Sequence, residues 1–599
     1  MRQPDICMCG ILLIISKTQK PLIKKKCIEA FKTIHTRGPD VQKLQFFEND
    51  KLFIGNSILS ISGKVNNSKK LYKSINKENF IAFNGEIYNF KELQKKYLNK
   101  NFDNDTEFLV NFFENKKELI TKKLNGMYAC VIYDIIKKKI HIFNDPQGEK
   151  NLFFYEDNDY VIISSIPEAI LKIISNYEYN LDSLSNYFLN RHYTINKNFS
   201  FKKIEPILNG SYWKYDIISH SIKKKIHDNP IKWISNKLYK KFEKMNDNQV
   251  LDYVEDKLIK QAKLMIPNLK YGSIVSGGVD SSLQTKILSK IRKPDYCLSV
   301  FHKNKDKIMK YKKKFFENKL SLKIDIINFD KKKYYKNLLK CYKITKSPLF
   351  THDLPSRLIL SQEFKKNECK VFFNADGCDE LLGGQQVYLK AFKKVNNLNS
   401  HINQSPYSSI KSKIGIKFLS NFKTIKDELD KLWRDVNKKY SFLDSIERNI
   451  QSSLFLDYFY QSINVANKSN DLICCSNSVE PRNIFIQKNI LKILINLPLK
   501  HKFNLNEKNK SYVQKGILKK IFVKYFTKDL LLRKEGFSGY PNSVIKHIKD
   551  KSFKKIKKIL KIKIRKFNNV IPKDLEWKLI NLTLFLMTSK ESKLKKKIK

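Results

Sequence analysis

The stretch Ser273-Ile274-Val275-Ser276-Gly277-Gly278-Val279-Asp280-Ser281-Ser282 constrains this chain more than any other. Its apolar head reads as a short buried strand, and Leu283-Gln284-Thr285-Lys286-Ile287-Leu288 reads as the first turns of a helix. A strand that turns through Gly-Gly into a helix leaves unpaired backbone N–H groups converging at the helix's positive end, which makes an anion site. Gly277 and Gly278 let the backbone approach a phosphate that a Cβ would hold off. Ser276, Ser281 and Ser282 add hydroxyl donors. Asp280 would repel a phosphate unless a divalent cation lay between them, so the string implies Mg2+. The G-x-x-x-x-G-K-[ST] phosphate loop occurs nowhere in the chain.

The flanking sequence fits an α/β domain. Strands are expected over 296–301 and 323–329, alternating with helical segments, and a helix over 252–265 precedes the first strand. That alternation predicts a parallel sheet with helices on both faces. A fourth strand, Val371-Phe372-Phe373, runs into Asn374-Ala375-Asp376-Gly377-Cys378-Asp379-Glu380-Leu381-Leu382-Gly383-Gly384. Ligands of such sheets gather at the carboxyl ends of the strands, so this acidic loop should face the glycine string. Asp280 and Asp379 are the expected metal-holding pair, bridging a cation to phosphate oxygens.

The string Ser276 to Ser282 resembles the PP-loop of enzymes that cut ATP between its α- and β-phosphates and adenylate a substrate. The resemblance implies that Val275 to Gly278 and Asp280 to Ser282 bind ATP with Mg2+, and that Val275 and Val300 line the adenine pocket. It places Asn374, Ala375 and Asp376 where that family has Ser-Gly-Glu, beside the acyl-adenylate; Asp376 keeps the charge with a shorter reach. Lys534, in Arg533-Lys534-Glu535-Gly536-Phe537-Ser538, resembles the lysine that meets the departing pyrophosphate. Glu480-Pro481-Arg482 resembles a Glu-x-Arg segment, architectural or functional.

The first third carries a second set of motifs. Cys9 heads the β-prone run Gly10 to Ile15, where a cysteine with a free amine can act as nucleophile with its own base. His35-Thr36-Arg37-Gly38-Pro39-Asp40, Asn84-Gly85-Glu86-Ile87-Tyr88-Asn89, Asp105-Thr106-Glu107 and Leu124-Asn125-Gly126-Met127-Tyr128-Ala129 come next, in that order. Together they resemble the glutaminase domain of class II glutamine amidotransferases, specifically those of asparagine synthetases. By that resemblance Cys9 attacks the glutamine amide, and Asn84 and Gly85 hold the oxyanion, with each such donor typically contributing about 3 kcal/mol. Glu86 and Asp105 hold the amino end of glutamine.

Three departures bear on that reading. Seven residues precede Met8, so the amine of Cys9 is expected to be freed by a start at Met8 or by removal of a propeptide. Ile58 stands where the family has a carboxylate-clamping arginine, whose loss typically costs a few kcal/mol of binding. In Asn144-Asp145-Pro146-Gln147-Gly148, Asn144 replaces an arginine.

The expected architecture is an N-terminal-nucleophile αββα sandwich over 9–205, a connecting segment over 206–248, and a PP-loop α/β synthetase domain over 249–599. The expected chemistry is ATP-dependent amidation of aspartate through an acyl-AMP, with ammonia from glutamine. Alternatives are another carboxylate, such as a sugar acid, and a free-ammonia supply. A rival of another class, a basic nucleic-acid binder on a degenerate enzyme fold, rests on Lys+Arg of 116 against Asp+Glu of 58, a net charge of +58. The lysines are spread along the whole length and form no nucleic-acid motif, and a pure binder has no use for paired Asp280 and Asp379. The ten cysteines contain no C-x-x-C pair, which fits a reducing cytoplasm. No run of 18 apolar residues predicts a membrane helix. A homodimer is an admissible assembly.

Overall fold

The structure, a computed structural model, describes residues 6–62, 68–98, 100–116, 120–174, 176–189, 199–300, 306–327, 331–384, 416–417, 425–506, 511–528, 531, 563–564 and 573–588. In strand Ile6–Ser16, Ile11, Leu13 and Ile15 point into a core shared with Ala82, Val131 and Ile142. Leu12 and Ile14 point the other way, onto Ala30 and Phe31 of helix Lys24–Lys32. Strands Asn79–Ile87 and Gly126–Asp134 repeat the alternation: Ile81, Phe83, Cys130 and Ile132 pack on Phe108 and Phe112 of helix Asp105–Lys116. Successive strand residues face opposite sides. The result is two β layers closing one apolar core, each with helices outside: the expected αββα sandwich. Its twelve strands among the described residues all pair antiparallel.

The stretch 206–248, read from sequence as a connection, is divided between the two domains. Strands Ser211–Asp216 and Ile222–Ile226 extend the first sheet beyond Lys139–Asn144. Trp213 and Tyr215 enter its core, while Lys223 to Lys225 lie on an exposed edge strand whose charges hide its strand character in the sequence. Downstream, Trp233, Tyr239 and Phe242 are buried in the core of the second domain.

That domain is a five-stranded parallel sheet in the order Ile324–Ile327, Tyr296–Val300, Tyr271–Ile274, Val371–Phe373, Glu480–Arg482. Helix Asp247–Met265 begins at an Asn246/Gln249 capping box and buries Val250, Val254 and Leu258 beneath it. Among the described residues no helix is long and apolar enough to cross a membrane.

A buried chain of charges joins the domains. Arg37 meets Asp471 at 2.7 Å, Lys150 lies 4.0 Å from Asp471 and 3.0 Å from Glu480, and Arg482 pairs with both Glu480 (2.8 Å) and Glu86. Three cations and three anions alternate across the seam, with none of the six side chains more than 2% exposed. The His35-to-Asp40 motif is thereby spent on the interface, since Asp40 also pairs with Lys370 at 2.7 Å.

Candidate active site

The strand Tyr271–Ile274 lies beside Val371–Phe373, with Ser273 opposite Phe373, so the loops leaving their carboxyl ends are neighbours. Gly277 sits at φ 73°, a left-handed backbone that glycine alone takes without cost, and Gly278 caps helix Val279–Ser289. The Ser281 hydroxyl closes the loop, accepting from the Ser276 N–H at 3.1 Å and bonding to Ser276 Oγ at 2.8 Å. Ser276 and Gly278 are exposed, which leaves the helix N-terminus open to a ligand. Ser282 is fully buried, its hydroxyl without a hydrogen-bond partner among the described residues. Val275 is buried and donates its N–H to the Leu298 carbonyl at 2.9 Å. Val300 ends the adjacent strand.

Asp280 and Asp379, nearly one hundred residues apart in sequence, converge on a single cation. Lys515 Nζ forms ion pairs with both carboxylates and is itself buried. It reaches them from the turn before helix Gly516–Tyr525, where its N–H donates to the Leu382 carbonyl at 3.1 Å. Asp280 Oδ1 is buried with no hydrogen-bond partner among the described residues. Two carboxylates aimed at one cationic position, with an oxygen to spare, fit a divalent ion that draws its other ligands from phosphate. No cluster of three His, Cys, Asp or Glu side chains with metal-binding geometry occurs among the described residues, so phosphate and water oxygens would make up the rest of the shell. Nothing in the sequence marks Lys515 out, because it is one lysine among very many.

The acceptor loop holds a second unforeseen residue. Asp376 is gripped by Arg357, whose Nη2 lies 3.2 Å from Oδ1, and by Asn470 Nδ2 at 3.0 Å. Arg357 also bonds Asp353 one helical turn back, at 2.5 Å, and Asn470 Oδ1 at 2.9 Å. The i,i+4 pair Asp353/Arg357 was visible in the sequence, but its reach to Asp376 was not. Asn374 is buried and donates its N–H to the Arg482 carbonyl at 2.9 Å, and Ala375 is half-buried. Lys534 lies outside the described residues.

The candidate glutaminase residues meet at one place in the first domain. Cys9 is buried opposite Ile58 and packs on it, so an apolar contact fills the position at which an arginine was expected. The Cys9 N–H donates to Asn84 Oδ1 at 3.1 Å, and Asn84 Nδ2 is buried with no partner among the described residues, a donor free for an oxyanion. Gly85 adopts φ 141°, and a Cβ there would lie 2.0 Å from the Met127 carbonyl oxygen, so only glycine fits. Upstream of Cys9 the strand continues, with Cys7 in register with Gly85 and Met8 with Leu59. Burial, reinforced by Asp105, pushes the Cys9 thiol well above its ordinary range. Asn144 is structural: its Oδ1 accepts from the Ser211 N–H at 3.1 Å.

Glu86 and Asp105 flank this point. Burial drives the Glu86 carboxyl strongly upward, and Arg482 opposes it. Asp105 Oδ2 accepts from the Ile87 N–H at 3.0 Å, yet burial lifts its pKa to about 7. A raised carboxyl binds its proton more tightly folded than unfolded. Its contribution is therefore complete below the ordinary value of 3.8 and is lost as pH rises toward 7. The expected slope is about 1.4 kcal/mol per pH unit at most across that window. Asp105→Asn should flatten it; urea midpoints at pH 4.5, 5.5 and 6.5 that keep the parent slope would refute the assignment.

Comparison with known proteins agrees with this division. Residues 8–225 match a glutamine amidotransferase domain and residues 254–568 match the asparagine synthase family. Asparagine synthetase [glutamine-hydrolyzing] 1 of Bacillus subtilis (strain 168) is 23% identical over 413 residues, spanning 63% of this chain and 62% of that protein. The match thus covers less than two thirds of that relative's length. Two solved structures align over 44% of the chain and 60% of their own lengths, each with a TM-score of 0.27. One is an allosteric regulatory enzyme of purine biosynthesis (14% identity), the other a glutamine phosphoribosylpyrophosphate amidotransferase from B. subtilis with ADP and GMP (16%). At that score they add nothing to the topology of the two sheets.

Proposed function

The chain belongs to the asparagine synthase family, and from that membership we propose that it is an ATP-dependent amidating enzyme with aspartate as its acceptor and glutamine as its nitrogen donor. An acceptor carboxylate oxygen attacks the α-phosphorus of ATP, the bond to the β-phosphate breaks, and pyrophosphate leaves. Ammonia then attacks the acyl carbon, AMP departs with the bonding electrons, and the nitrogen loses a proton to give the amide. The observation that carries the reading is the convergence of Asp280 and Asp379 on Lys515 beside an open glycine cradle.

In this reading the N–H groups at the start of helix Val279–Ser289 and the Ser276 hydroxyl hold phosphate oxygens, Val275 and Val300 border the adenine, and Asn374 to Asp376 border the acyl group. Lys515 stabilises charge on the departing pyrophosphate, a role shared with Lys534. Asp280 and Asp379 would hold Mg2+, which would supply positive charge to offset the negative charge developing on the departing pyrophosphate. In the first domain the Cys9 sulfur attacks the glutamine amide carbon, Asn84 and Gly85 hold the oxyanion, ammonia leaves, and water hydrolyses the thioester to glutamate. Glu86 and Asp105 hold the substrate's ammonium.

Incubation with ATP, Mg2+ and aspartate, with glutamine or ammonium as donor, is expected to yield AMP, pyrophosphate and asparagine in equal amounts. No AMP or pyrophosphate with any acid would end the synthetase reading. A second reading, in which free ammonia feeds the reaction or the acceptor is another carboxylate, is favoured by Ile58 against Cys9 and by the Arg357 grip on Asp376. It predicts amide formation with ammonium and none with glutamine, or turnover with an acid other than aspartate.

A further inference from the structure

Arg482 is the one residue of the buried charge chain that touches both candidate sites. Its guanidinium pairs with Glu86, next to the oxyanion glycine Gly85, and with Glu480 at 2.8 Å. Its carbonyl accepts the N–H of Asn374 at 2.9 Å, fixing the first residue of the acceptor loop. Strand register supports the second contact, since Arg482 stands opposite Phe373, the residue just before Asn374. The guanidinium is fully buried and also donates to the Met265 carbonyl.

We propose that Arg482 is a positioning residue that couples the glutamine pocket to the nucleotide and acceptor site, a proposal that rests on the amidating function inferred for the chain. An incoming glutamine ammonium competes with Arg482 for the single Glu86 carboxylate. As Glu86 turns to the ligand, Arg482 settles toward Glu480, and the strand end that holds Asn374 moves with it. Because the guanidinium is walled in, a shift there is transmitted through the backbone instead of being absorbed by solvent. Coupling between sites is reciprocal: whatever factor nucleotide imposes on glutamine affinity, glutamine imposes on nucleotide.

The test reads binding and needs no turnover. The dissociation constant of glutamine is measured by calorimetry on the full chain carrying Cys9→Ala, which cannot hydrolyse it, with and without saturating α,β-methylene-ATP and Mg2+; the further variants are made in that background. A change of about 5-fold or more is expected, the lower end of ordinary coupling, with the same factor in the converse titration. Arg482→Lys keeps a cation but loses the fork that spans Glu86 and Glu480, and should bring the factor to about 1. Should that variant fail to fold, Glu86→Gln decides: it is expected to shift the affinity for α,β-methylene-ATP several-fold although Glu86 lies in the other domain. The proposal is overturned by a factor of 1 in the parent protein, by an unchanged factor in Arg482→Lys, or by parental nucleotide affinity in Glu86→Gln. Loss of AMP formation with every acid would instead strike the functional reading while leaving these binding constants measurable.

Discussion

Asp280→Asn is expected to slow AMP and pyrophosphate formation by about 10²- to 10³-fold while leaving thermal unfolding near that of the parent protein. The substitution keeps the shape of the side chain but removes half the negative charge that converges on the cation position. Charge stabilisation by a bound ion is worth several kcal/mol at the transition state, and each 1.4 kcal/mol is tenfold in rate. The fold should tolerate it because Lys515 retains Asp379 as counterion. Quenched-flow measurement of pyrophosphate release at saturating ATP, beside a melting curve, checks both halves. A variant with parental turnover would remove Asp280 from the chemistry; one that melts early would make the pair architectural.

Replacing Asp471 with leucine should cost about 3–5 kcal/mol of stability, because it strands Arg37 in the domain seam and leaves Lys150 with Glu480 alone. Asp471 is 1% exposed and serves Arg37 at 2.7 Å, Asn151 Nδ2 at 2.8 Å and Lys150 at 4.0 Å. Burial alone would raise its carboxyl, but Arg37 and Lys150 outweigh that and hold it below the ordinary carboxylate range. Its contribution is therefore present above the usual carboxylate pKa and is lost as pH falls through the depressed one. Urea titration of the variant at neutral pH is the measurement. A loss under about 1 kcal/mol would mean that water reaches the seam and the chain of charges is ordinary surface electrostatics. Replacing the six charges together by apolar residues of matched volume is a different experiment, since a fully paired buried network is not itself strongly stabilising.

What the sequence made legible was what lies within a few residues along the chain. Ser276 to Ser282 announces its turn because the glycines, the helix start and the flanking strand are contiguous, and the structure keeps that arrangement. The sandwich was legible only through the family resemblance that the order of its motifs carries. Residues that work across long separations were not legible. Lys515 reaches Asp280 over 235 positions, and Arg482 reaches Glu86 from another domain. No local pattern distinguishes a lysine that ends between two carboxylates from one that ends in water. Arg357 gave half a signal, its helical partner Asp353, while the partner that matters for the site, Asp376, lies on the next loop. The stretch 206–226 misled because an edge strand dressed in lysines has the composition of a linker.

The ladder around Cys9 also restrains the side chain it meets. The Cys9 N–H donates to Asn84 Oδ1 at 3.1 Å, and Cys7 and Met8 upstream are laddered to Ser60 and Leu59. With its oxygen engaged, the Asn84 amide keeps one orientation, so fraying of that strand end would loosen the amide together with the cysteine.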